Sequence, residues 1–285
     1  MKAWTRLIAS VLMAMMMLAM PAAMAEEEEE FFFADVAGVG AITYNNVVWD
    51  FPVDMMEMDP ELVMLANKSM FLSKDYVPDD LVTMKSLKLE NGVNVNGGVR
   101  RTNSGMQLQR ECAEALVALC DAARAEGHEL YLKSAYRSYK TQDNMYYNRL
   151  KKNNGKDDGW VAKPGASDHQ TGLGCDVVPK NWTDRGMNED MAREEETQWM
   201  AAHCAEFGFI LRYPKDKEDV TQINYEPWHL RYVGVPAATY IMDNGLCLEE
   251  FHAQLMTAIA EFIAAGGPAS LVEDFIQVSA EDKYD

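Results

Sequence analysis

The sequence predicts a domain of mixed helix and strand, and three observations support this prediction. The clearest helix spans 106–126, where apolar side chains recur at every third or fourth position and Gly127 follows the last turn. Two apolar runs, 129–134 and 209–214, have the length of strands and follow turn-forming residues. The chain contains no internal repeat, so we expect one main domain.

Further elements follow from the same patterns. Ser138 suits the N-cap of a helix over 139–151, because its hydroxyl can accept a backbone N–H of the first turn. A helix over 194–206 is ended by Gly208. The remaining elements are strands at 175–178 and 224–233 and helices at 236–243 and 248–264.

The N-terminal segment has the composition of an export signal. Lys2 and Arg6 precede an apolar run, and Ala23-Met24-Ala25 fits an A-x-A cleavage site. The uncharged run 7–25 is also marginally long enough to remain as a membrane anchor, although Pro21 favours cleavage. We expect an exported protein of the extracellular, cell-wall or periplasmic space, with membrane contact only if the signal stays uncleaved.

The chain is strongly acidic. Its formal net charge is −19 over 285 residues, and loss of the basic N-terminal segment would make the remainder more negative still. Such a charge disfavours nucleic acid and anionic lipid surfaces as partners, so we expect no nucleic-acid binding. A substrate would be recognised by a few local groups.

Four segments organise the chain. We expect residues 1–25 to form the signal peptide and 26–60 an acidic, methionine-rich arm that is flexible or partly packed on the domain. The main domain spans 61–252, and 253–285 hold the C-terminal helix and an acidic tail. We expect a monomer.

Five cysteines are an odd number for an exported chain. Cys112 and Cys120 share the first helix about 12 Å apart, too far to bond to each other. Cys175 should point away from its neighbour Asp176, because successive side chains of a strand alternate. We expect most of the five to be small buried apolar residues, and a disulfide between two of them stays an open alternative.

Two segments carry side chains that suit a metal site. The segment 164–176 reads Pro-Gly-Ala-Ser-Asp-His-Gln-Thr-Gly-Leu-Gly-Cys-Asp, and its glycines allow a loop that leads into a strand. This geometry would bring His169 and Asp176 to one point, and His229 would join them from a distant strand. A His–Asp–His set suits zinc, with a fourth position open for water.

Two further side chains have the chemistry to act on a substrate. Glu226 precedes His229 by three residues and is held extended by Pro227, so it could serve as general base on the water. Arg137 lies at a predicted strand-to-helix corner. A guanidinium there suits an oxyanion or a terminal carboxylate, and Gln142 would line the same cleft one helical turn later.

The residues of these segments resemble the motifs of the LAS metallopeptidases. Ser167–Asp176 resembles S-x-H-x-x-G-x-A-x-D, and Glu226–His229 resembles the E-x-x-H segment in its VanY-type D-alanyl-D-alanine carboxypeptidase form. Ala135–Gln142 resembles the S-G-Y-R-S-x-x-x-Q block, and the similarity covers roughly 62–252. Gly174 stands where the family usually has alanine, a change that we expect to leave ligand geometry intact.

The resemblance implies an α+β fold of the LAS/hedgehog type, in which a mostly antiparallel sheet carries the zinc site and is flanked by helices. It implies an exported D,D-carboxypeptidase that removes the C-terminal D-alanine from peptidoglycan stem peptides. The implied site has one zinc ion per chain on His169, Asp176 and His229, the catalytic residues Glu226 and Arg137, and substrate contacts from Ser167, Gln142 and Trp228. Ser167 could instead only shape its loop, and Trp228 could pack in the core.

Several alternatives stay open. An L,D-carboxypeptidase acting on tetrapeptide stems differs in one stereocentre, which is read by pocket shape and not by motif. A D,D-dipeptidase is a related alternative, while Trp228 argues against the endolysin-type L-alanyl–D-glutamate endopeptidases. A catalytically inactive cell-wall-binding module is the rival outside the enzymes, and the intact Glu226 argues against it.

Overall fold

The computed structural model of this protein describes residues 42–278. The strands are β1 Ile42–Tyr44, β2 Val47–Trp49, β3 Leu81–Thr83, β4 Leu89–Glu90, β5 Val93–Asn94, β6 Arg100–Arg101, β7 Gln107–Gln109, β8 Leu130–Ser134, β9 Gly174–Pro179, β10 Phe209–Leu211 and β11 His229–Tyr232. The α-helices are α1 Arg110–Ala125, α2 Tyr139–Lys152, α3 Glu195–His203, α4 Glu218–Thr221, α5 Val235–Asp243, α6 Leu248–Ala264 and α7 Glu273–Val278. The predicted signal peptide, the acidic start of the arm and the end of the tail lie outside the described residues.

A five-stranded sheet forms the centre of the fold, in the order β10-β11-β9-β8-β6. Neighbouring strands are antiparallel except for the parallel pair β6 and β8. This confirms the predicted α+β fold with a mostly antiparallel sheet. Within the described range no helix is both long and apolar enough to cross a bilayer.

The two faces of the sheet have different roles. On one face, Cys175, Val177 and Leu230 are buried in a cluster with the apolar side of α1. Because side chains alternate along a strand, Asp176 and His229 lie on the other face. The sheet therefore separates an apolar core from the polar site.

Residues 42–60 pack on the domain, which corresponds to the packed alternative for this part of the arm. Trp49 lies with its ring centroid 5.7 Å from that of Phe262, and Phe51 lies 5.6 Å from Phe251, both on α6. These aromatic side chains belong to one buried cluster with α5 and α6. The apolar stripe of α6 needs a cover, and large aromatic rings from the preceding segment supply it.

The predicted elements agree with the structure in type, but several boundaries differ. The strand predicted over 209–214 ends at Leu211, and the helix predicted over 194–206 ends at His203 and continues as the 3₁₀ turn Cys204–Phe207. The helix predicted from 106 begins at Arg110, because Gln107–Gln109 pair with β3 as a strand. The strand predicted over 224–233 is shorter, and Glu226 precedes it in a turn closed by the His229 N–H and the Glu226 carbonyl oxygen. Ser138 caps its helix as predicted, since its Oγ accepts the Thr141 N–H.

All five cysteines are buried and carry free thiols. Cys175 lies in the apolar cluster beneath the sheet, on the face opposite Asp176, as its strand position predicted. Burial raises the pKa of the Cys120 and Cys204 thiols to about 12. These thiols therefore behave as small apolar side chains at neutral pH.

Candidate metal centre

His169, Asp176 and His229 converge beside the central sheet. His169 lies in the 3₁₀ turn Asp168–Thr171, which ends at Gly172 with φ 70°, a conformation that glycine adopts readily. The chain then enters β9, where Asp176 lies directly opposite His229 of β11. One ligand atom from each of these three residues lies within 4.8 Å of the other two. The structure thus brings together the three predicted metal ligands.

The hydrogen bonds of the cluster leave lone pairs for a metal ion. His169 Nδ1 lies 2.7 Å from the carbonyl oxygen of Ala135, so Nδ1 carries the proton and Nε2 keeps its lone pair, 3.5 Å from Asp176 Oδ2. Asp176 Oδ1 lies 3.1 Å from His229 Nδ1, yet this buried oxygen has no hydrogen-bond partner among residues 42–278. An unsatisfied buried carboxylate oxygen is costly, and a bound cation would satisfy it. The residues fit a metal ion.

The electrostatics favour the protonation states that a metal requires. Burial, reinforced by the Arg137 guanidinium, lowers the pKa of His169 to about 4. Burial on its own would raise the pKa of the Asp176 carboxyl, but His169 and His229 together hold that pKa well below its usual value. The His169 imidazole is therefore neutral, with its proton on Nδ1, and the Asp176 carboxylate is ionised at neutral pH, as metal ligands must be.

Glu226 lies beside the cluster. Its Oε2 is 3.5 Å from His229 Nδ1, and the residue is only 8% exposed. Burial, followed by the charge of Asp176, raises the pKa of the Glu226 carboxyl well above its usual value, while Arg137 opposes this shift. A carboxyl with a raised pKa is a stronger base than an ordinary carboxylate, which suits it to proton transfer.

Arg137 contacts the same site through its backbone and its side chain. Its backbone N–H donates to the His169 carbonyl oxygen over 3.0 Å, which connects the corner before α2 to the turn that carries the ligand. Its guanidinium donates to Gln142 Oε1 over 2.6 Å and to Ser134 Oγ over 3.2 Å. Burial lowers the pKa of the guanidinium, and Asp176 and Glu226 counteract this. The result is a fixed cation at the edge of the cluster.

The Gln142 side chain, predicted as a substrate contact, is bound by two protein groups in this structure. Its side chain is 1% exposed, its Oε1 accepts from Arg137, and its Nε2 donates to the Ala162 carbonyl oxygen over 2.6 Å. Both polar ends are occupied by protein partners. The side chain therefore lies behind Arg137 and orients the guanidinium.

The other two predicted substrate contacts, Ser167 and Trp228, differ in where they lie: Ser167 adjoins the ligand turn, and Trp228 packs among buried apolar side chains. Ser167 directly precedes the ligand turn, and its side chain does not cap that turn. Trp228 is 3% exposed, lies in a cluster with Val178, Trp182 and Met191, and stacks on Trp160 with ring centroids 6.2 Å apart. This placement corresponds to the core-packing alternative for Trp228. Trp160 is the partly exposed ring of the stacked pair.

A buried ionic group that no motif in the sequence predicted lies next to the ligands. Asp168 accepts hydrogen bonds from both Arg212 and Arg231, and all three side chains are fully buried. A signal was present, because Arg212 and Arg231 interrupt apolar strand sequences, where an arginine is buried only if it is paired. The identity of the partner follows only from the fold.

The Gly174 backbone lies so close to Asp168 that even an alanine side chain would not fit without a shift. A Cβ at this position would lie 2.9 Å from Asp168 Cβ and 3.0 Å from the Asp168 carbonyl carbon. Such contacts are too short without a shift of the ligand turn. The glycine that stands in place of the usual alanine thus lets the Asp168–His169 backbone approach β9 closely.

The sequence profile of the VanY family, described as D-alanyl-D-alanine carboxypeptidase, matches residues 105–235. This range contains the three predicted metal ligands, Arg137 and Glu226. The chain is 39% identical over 203 residues to the protein named "Putative carboxypeptidase YodJ" of Bacillus subtilis, and the alignment covers 70% of this chain and 71% of YodJ.

Two solved structures are similar in fold and sequence. The LdcB LD-carboxypeptidase has a TM-score of 0.57 at 35% identity, with 77% of this chain and 92% of LdcB covered. The vancomycin-resistance D,D-pentapeptidase VanY, solved in complex with Zn(II), has a TM-score of 0.51 at 31% identity, with 67% of this chain and 98% of that chain covered. The chain belongs to the VanY family of D-alanyl-D-alanine carboxypeptidases.

Proposed function

We propose that this protein is an exported zinc D,D-carboxypeptidase that removes the C-terminal D-alanine from peptidoglycan stem peptides. One observation carries the proposal: the Glu226 carboxylate lies 3.5 Å from a nitrogen of a buried cluster whose ligand atoms all lie within 4.8 Å of one another. A general base beside a set of metal ligands is the arrangement of a hydrolase and not of a simple binding module.

His169, Asp176 and His229 would hold one zinc ion per chain. When bound, zinc acts as a Lewis acid on a carbonyl oxygen and lowers the pKa of a water ligand. These two histidines and one aspartate would supply three protein ligands, and a four-coordinate zinc ion would then have one position for water or substrate. The hydrogen bond from His169 Nδ1–H to Ala135 holds the imidazole in the orientation and tautomer that ligation needs.

Glu226 would move the proton during hydrolysis. Its Oε2 receives the proton of the attacking water and then delivers it to the nitrogen of the departing D-alanine. The raised pKa of the carboxyl suits both steps, because a stronger base takes the proton and a neutral acid returns it. The buried position of Glu226 keeps bulk water from competing for that proton.

Arg137 would stabilise the negative oxygen of the tetrahedral intermediate or bind the terminal carboxylate of the substrate. Its guanidinium is held by Gln142 and Ser134, so little conformational freedom is lost when the substrate binds. We propose that Ser167, next to the ligand turn, donates a hydrogen bond to the terminal carboxylate. For the aromatic wall of the cleft, we propose Trp160 backed by Trp228.

An L,D-carboxypeptidase acting on tetrapeptide stems is the second candidate. The similarity to the LdcB LD-carboxypeptidase favours it, since that fold comparison covers more of this chain than the one with the D,D-pentapeptidase. The proposed metal, base and arginine serve either stereochemistry. The two candidates differ in the residue that precedes the scissile bond, which is D-alanine in a pentapeptide stem and the L-configured third residue in a tetrapeptide stem.

Mass spectrometry of muropeptides tests the proposal. Pentapeptide and tetrapeptide stems are incubated separately with the purified mature protein, with and without a chelator. Loss of one alanine from the pentapeptide alone, abolished by chelation and restored by zinc, is the expected result. Loss from the tetrapeptide alone would move the assignment to the L,D activity. No cleavage of either by protein that holds one zinc per chain would overturn the enzymatic function.

We also propose that the signal is cleaved after Ala25 and that the mature protein acts as a monomer outside the cytoplasmic membrane. The A-x-A sequence before Glu26 supports cleavage. Mass spectrometry of the intact protein from the culture medium or cell wall should give the mass of residues 26–285. A full-length mass in the membrane fraction would instead establish the anchored alternative.

A further inference from the structure

A buried ionic group lies between the ligand-bearing segments. Asp168 Oδ1 accepts from Arg231 Nη1 over 2.6 Å, and Asp168 Oδ2 accepts from Arg212 Nε. Arg212 also binds both carboxylate oxygens of Glu249, at 2.7 and 2.8 Å. The side chains of Asp168, Arg212 and Arg231 have no exposed surface, so water does not screen these pairs.

The position of this group relates it to the metal ligands. Asp168 directly precedes His169 in the ligand turn. Arg231 lies two residues after His229 on the same strand, and therefore on the same face of the sheet. The backbone N–H of Arg212 donates to the His229 carbonyl oxygen over 3.1 Å. One carboxylate thus connects the segment of the first ligand to the two strands around the third.

The arginines extend the connection to a third segment. Arg231 Nη2 donates to the carbonyl oxygens of Leu62 and Met64 at 2.9 and 2.8 Å, and Arg212 Nη2 lies 3.4 Å from that of Ala66. The stretch 62–66 therefore closes over the arginines. Rigid guanidinium forks fix both the distance and the angle between the groups that they join, which an apolar contact does not do.

Stability alone is a weak reason for such a group. A buried ion pair costs much of its Coulomb energy in desolvation, and apolar side chains of similar volume often stabilise a core equally well. What the ionic group adds is a defined geometry next to His169 and His229. Metal affinity depends on that geometry, because ligands that must move to bind the metal lose part of the binding free energy.

We propose that Asp168 is a positioning residue that fixes His169 and His229 at the separation needed to share one metal ion. The inference rests on the proposed zinc site and deepens it. Its test measures metal affinity and not turnover, so failure of the catalytic proposal does not decide it. The chain provides a matched control in Glu249, which is the other carboxylate on Arg212 but adjoins no ligand.

The experiment compares zinc affinity in wild type, Asp168→Asn, Asp168→Glu and Glu249→Gln by competition with a chromogenic chelator. Asp168→Asn should bind zinc 10–100-fold more weakly, the usual effect of losing a residue that orients a ligand. Asp168→Glu keeps the charge and should recover most of this loss. Glu249→Gln should lower the melting temperature and leave zinc affinity within about threefold of wild type.

A second readout separates geometry from general loosening of the fold. Cobalt replaces zinc and reports ligand geometry through its visible absorption. The Asp168→Asn protein should show altered or weaker absorption bands, whereas Glu249→Gln should retain the wild-type spectrum. Circular dichroism of the metal-free proteins establishes that each variant is folded before metal is added.

Two results would overturn the inference. One is wild-type zinc affinity in folded Asp168→Asn, and the other is an equal loss of affinity in Glu249→Gln, which would assign the effect to overall stability. Should Asp168→Asn not fold, Arg231→Lys decides, because lysine keeps the charge but cannot fork between Asp168 and the 62–66 carbonyls. A folded Arg231→Lys protein with wild-type affinity and cobalt spectrum would contradict the proposal. A wild-type protein that binds no zinc would instead remove the proposed function itself.

Discussion

Asp176 and His229 are directly paired across the antiparallel strands β9 and β11, with Asp176 Oδ1 3.1 Å from His229 Nδ1. Glu226 approaches the same nitrogen from the turn before β11, with its Oε2 at 3.5 Å. The sheet register holds the ligand pair, whereas the base depends on the turn. Removal of the base should therefore leave the ligand pair in place.

Glu226→Gln should bind one zinc ion per chain and lose turnover. The amide has the shape of the carboxyl but cannot accept the proton of the attacking water, and a general base contributes roughly 10²–10⁴-fold to the rate. Zinc content by elemental analysis and alanine release from a pentapeptide stem give the two measurements. Glu195→Gln, an exposed position on α3, is the matched control and should behave as wild type. More than a tenth of wild-type turnover in Glu226→Gln would remove the base assignment.

Arg137→Lys should lower kcat about 10²-fold, because lysine keeps the charge but loses the fixed fork that faces the developing oxyanion. Gln142→Leu should lower kcat about tenfold, since it removes one hydrogen bond to the Arg137 guanidinium while Ser134 still binds the other nitrogen. Steady-state kinetics on a pentapeptide stem measure both variants. A larger loss in Gln142→Leu than in Arg137→Lys would mean that Gln142 contacts the substrate directly, as the sequence alone predicted.

The polar centre of the site follows from the sequence to a large extent. The segment 164–176 contains a turn, a left-handed glycine and a strand in immediate succession, so His169 and Asp176 converge through local structure. His229 is added by the neighbouring strand. Ser138 and the boundaries of α6 likewise follow from local capping and periodicity.

The parts that the sequence did not reveal depend on distant contacts. Asp168 meets Arg212 and Arg231 from 44 and 63 positions away in the chain, and no local pattern encodes such a pairing. Trp49 and Phe51 likewise pack on α6, which lies far away in the chain. The segment around the two rings has no regular apolar period, so no sequence pattern indicated this contact. Gln142 illustrates a third reason: its position on the helix was clear, but which partner its amide would take was not.

Gly174→Ala should weaken zinc binding about tenfold and lower the melting temperature by several degrees. The added Cβ would lie 2.9 Å from Asp168 Cβ, so the ligand turn must move away from β9, and overpacking of this kind costs about 1–3 kcal/mol. Chelator competition and thermal denaturation measure the two effects. Gly186→Ala is the control, because a Cβ there has no atom within 4 Å. Equal zinc affinity in Gly174→Ala and wild type would show that the turn adapts without cost.

Glu249→Gln should make the stability of the protein less dependent on acid pH. Burial would raise the pKa of the Glu249 carboxyl, but Arg212 and the hydrogen bonds from Arg212 and Asn67 lower it below its ordinary value of 4.5. A carboxyl whose pKa is lower in the folded than in the unfolded state stabilises the fold above its unfolded pKa. That contribution disappears as the pH falls through the folded pKa.

Wild type should therefore exceed Glu249→Gln by about 3 kcal/mol in the free energy of unfolding between pH 6 and 8, the usual cost of breaking a buried pair. The difference should shrink as the pH falls below about 4.5. Urea denaturation of the metal-free proteins at several pH values measures this, since a chelator removes the contribution of zinc. Glu261→Gln on the exposed side of α6 should follow the wild-type curve throughout. A difference of the same size at pH 3.5 and pH 7 would show that the Glu249 side chain stabilises the fold through packing and not through its charge.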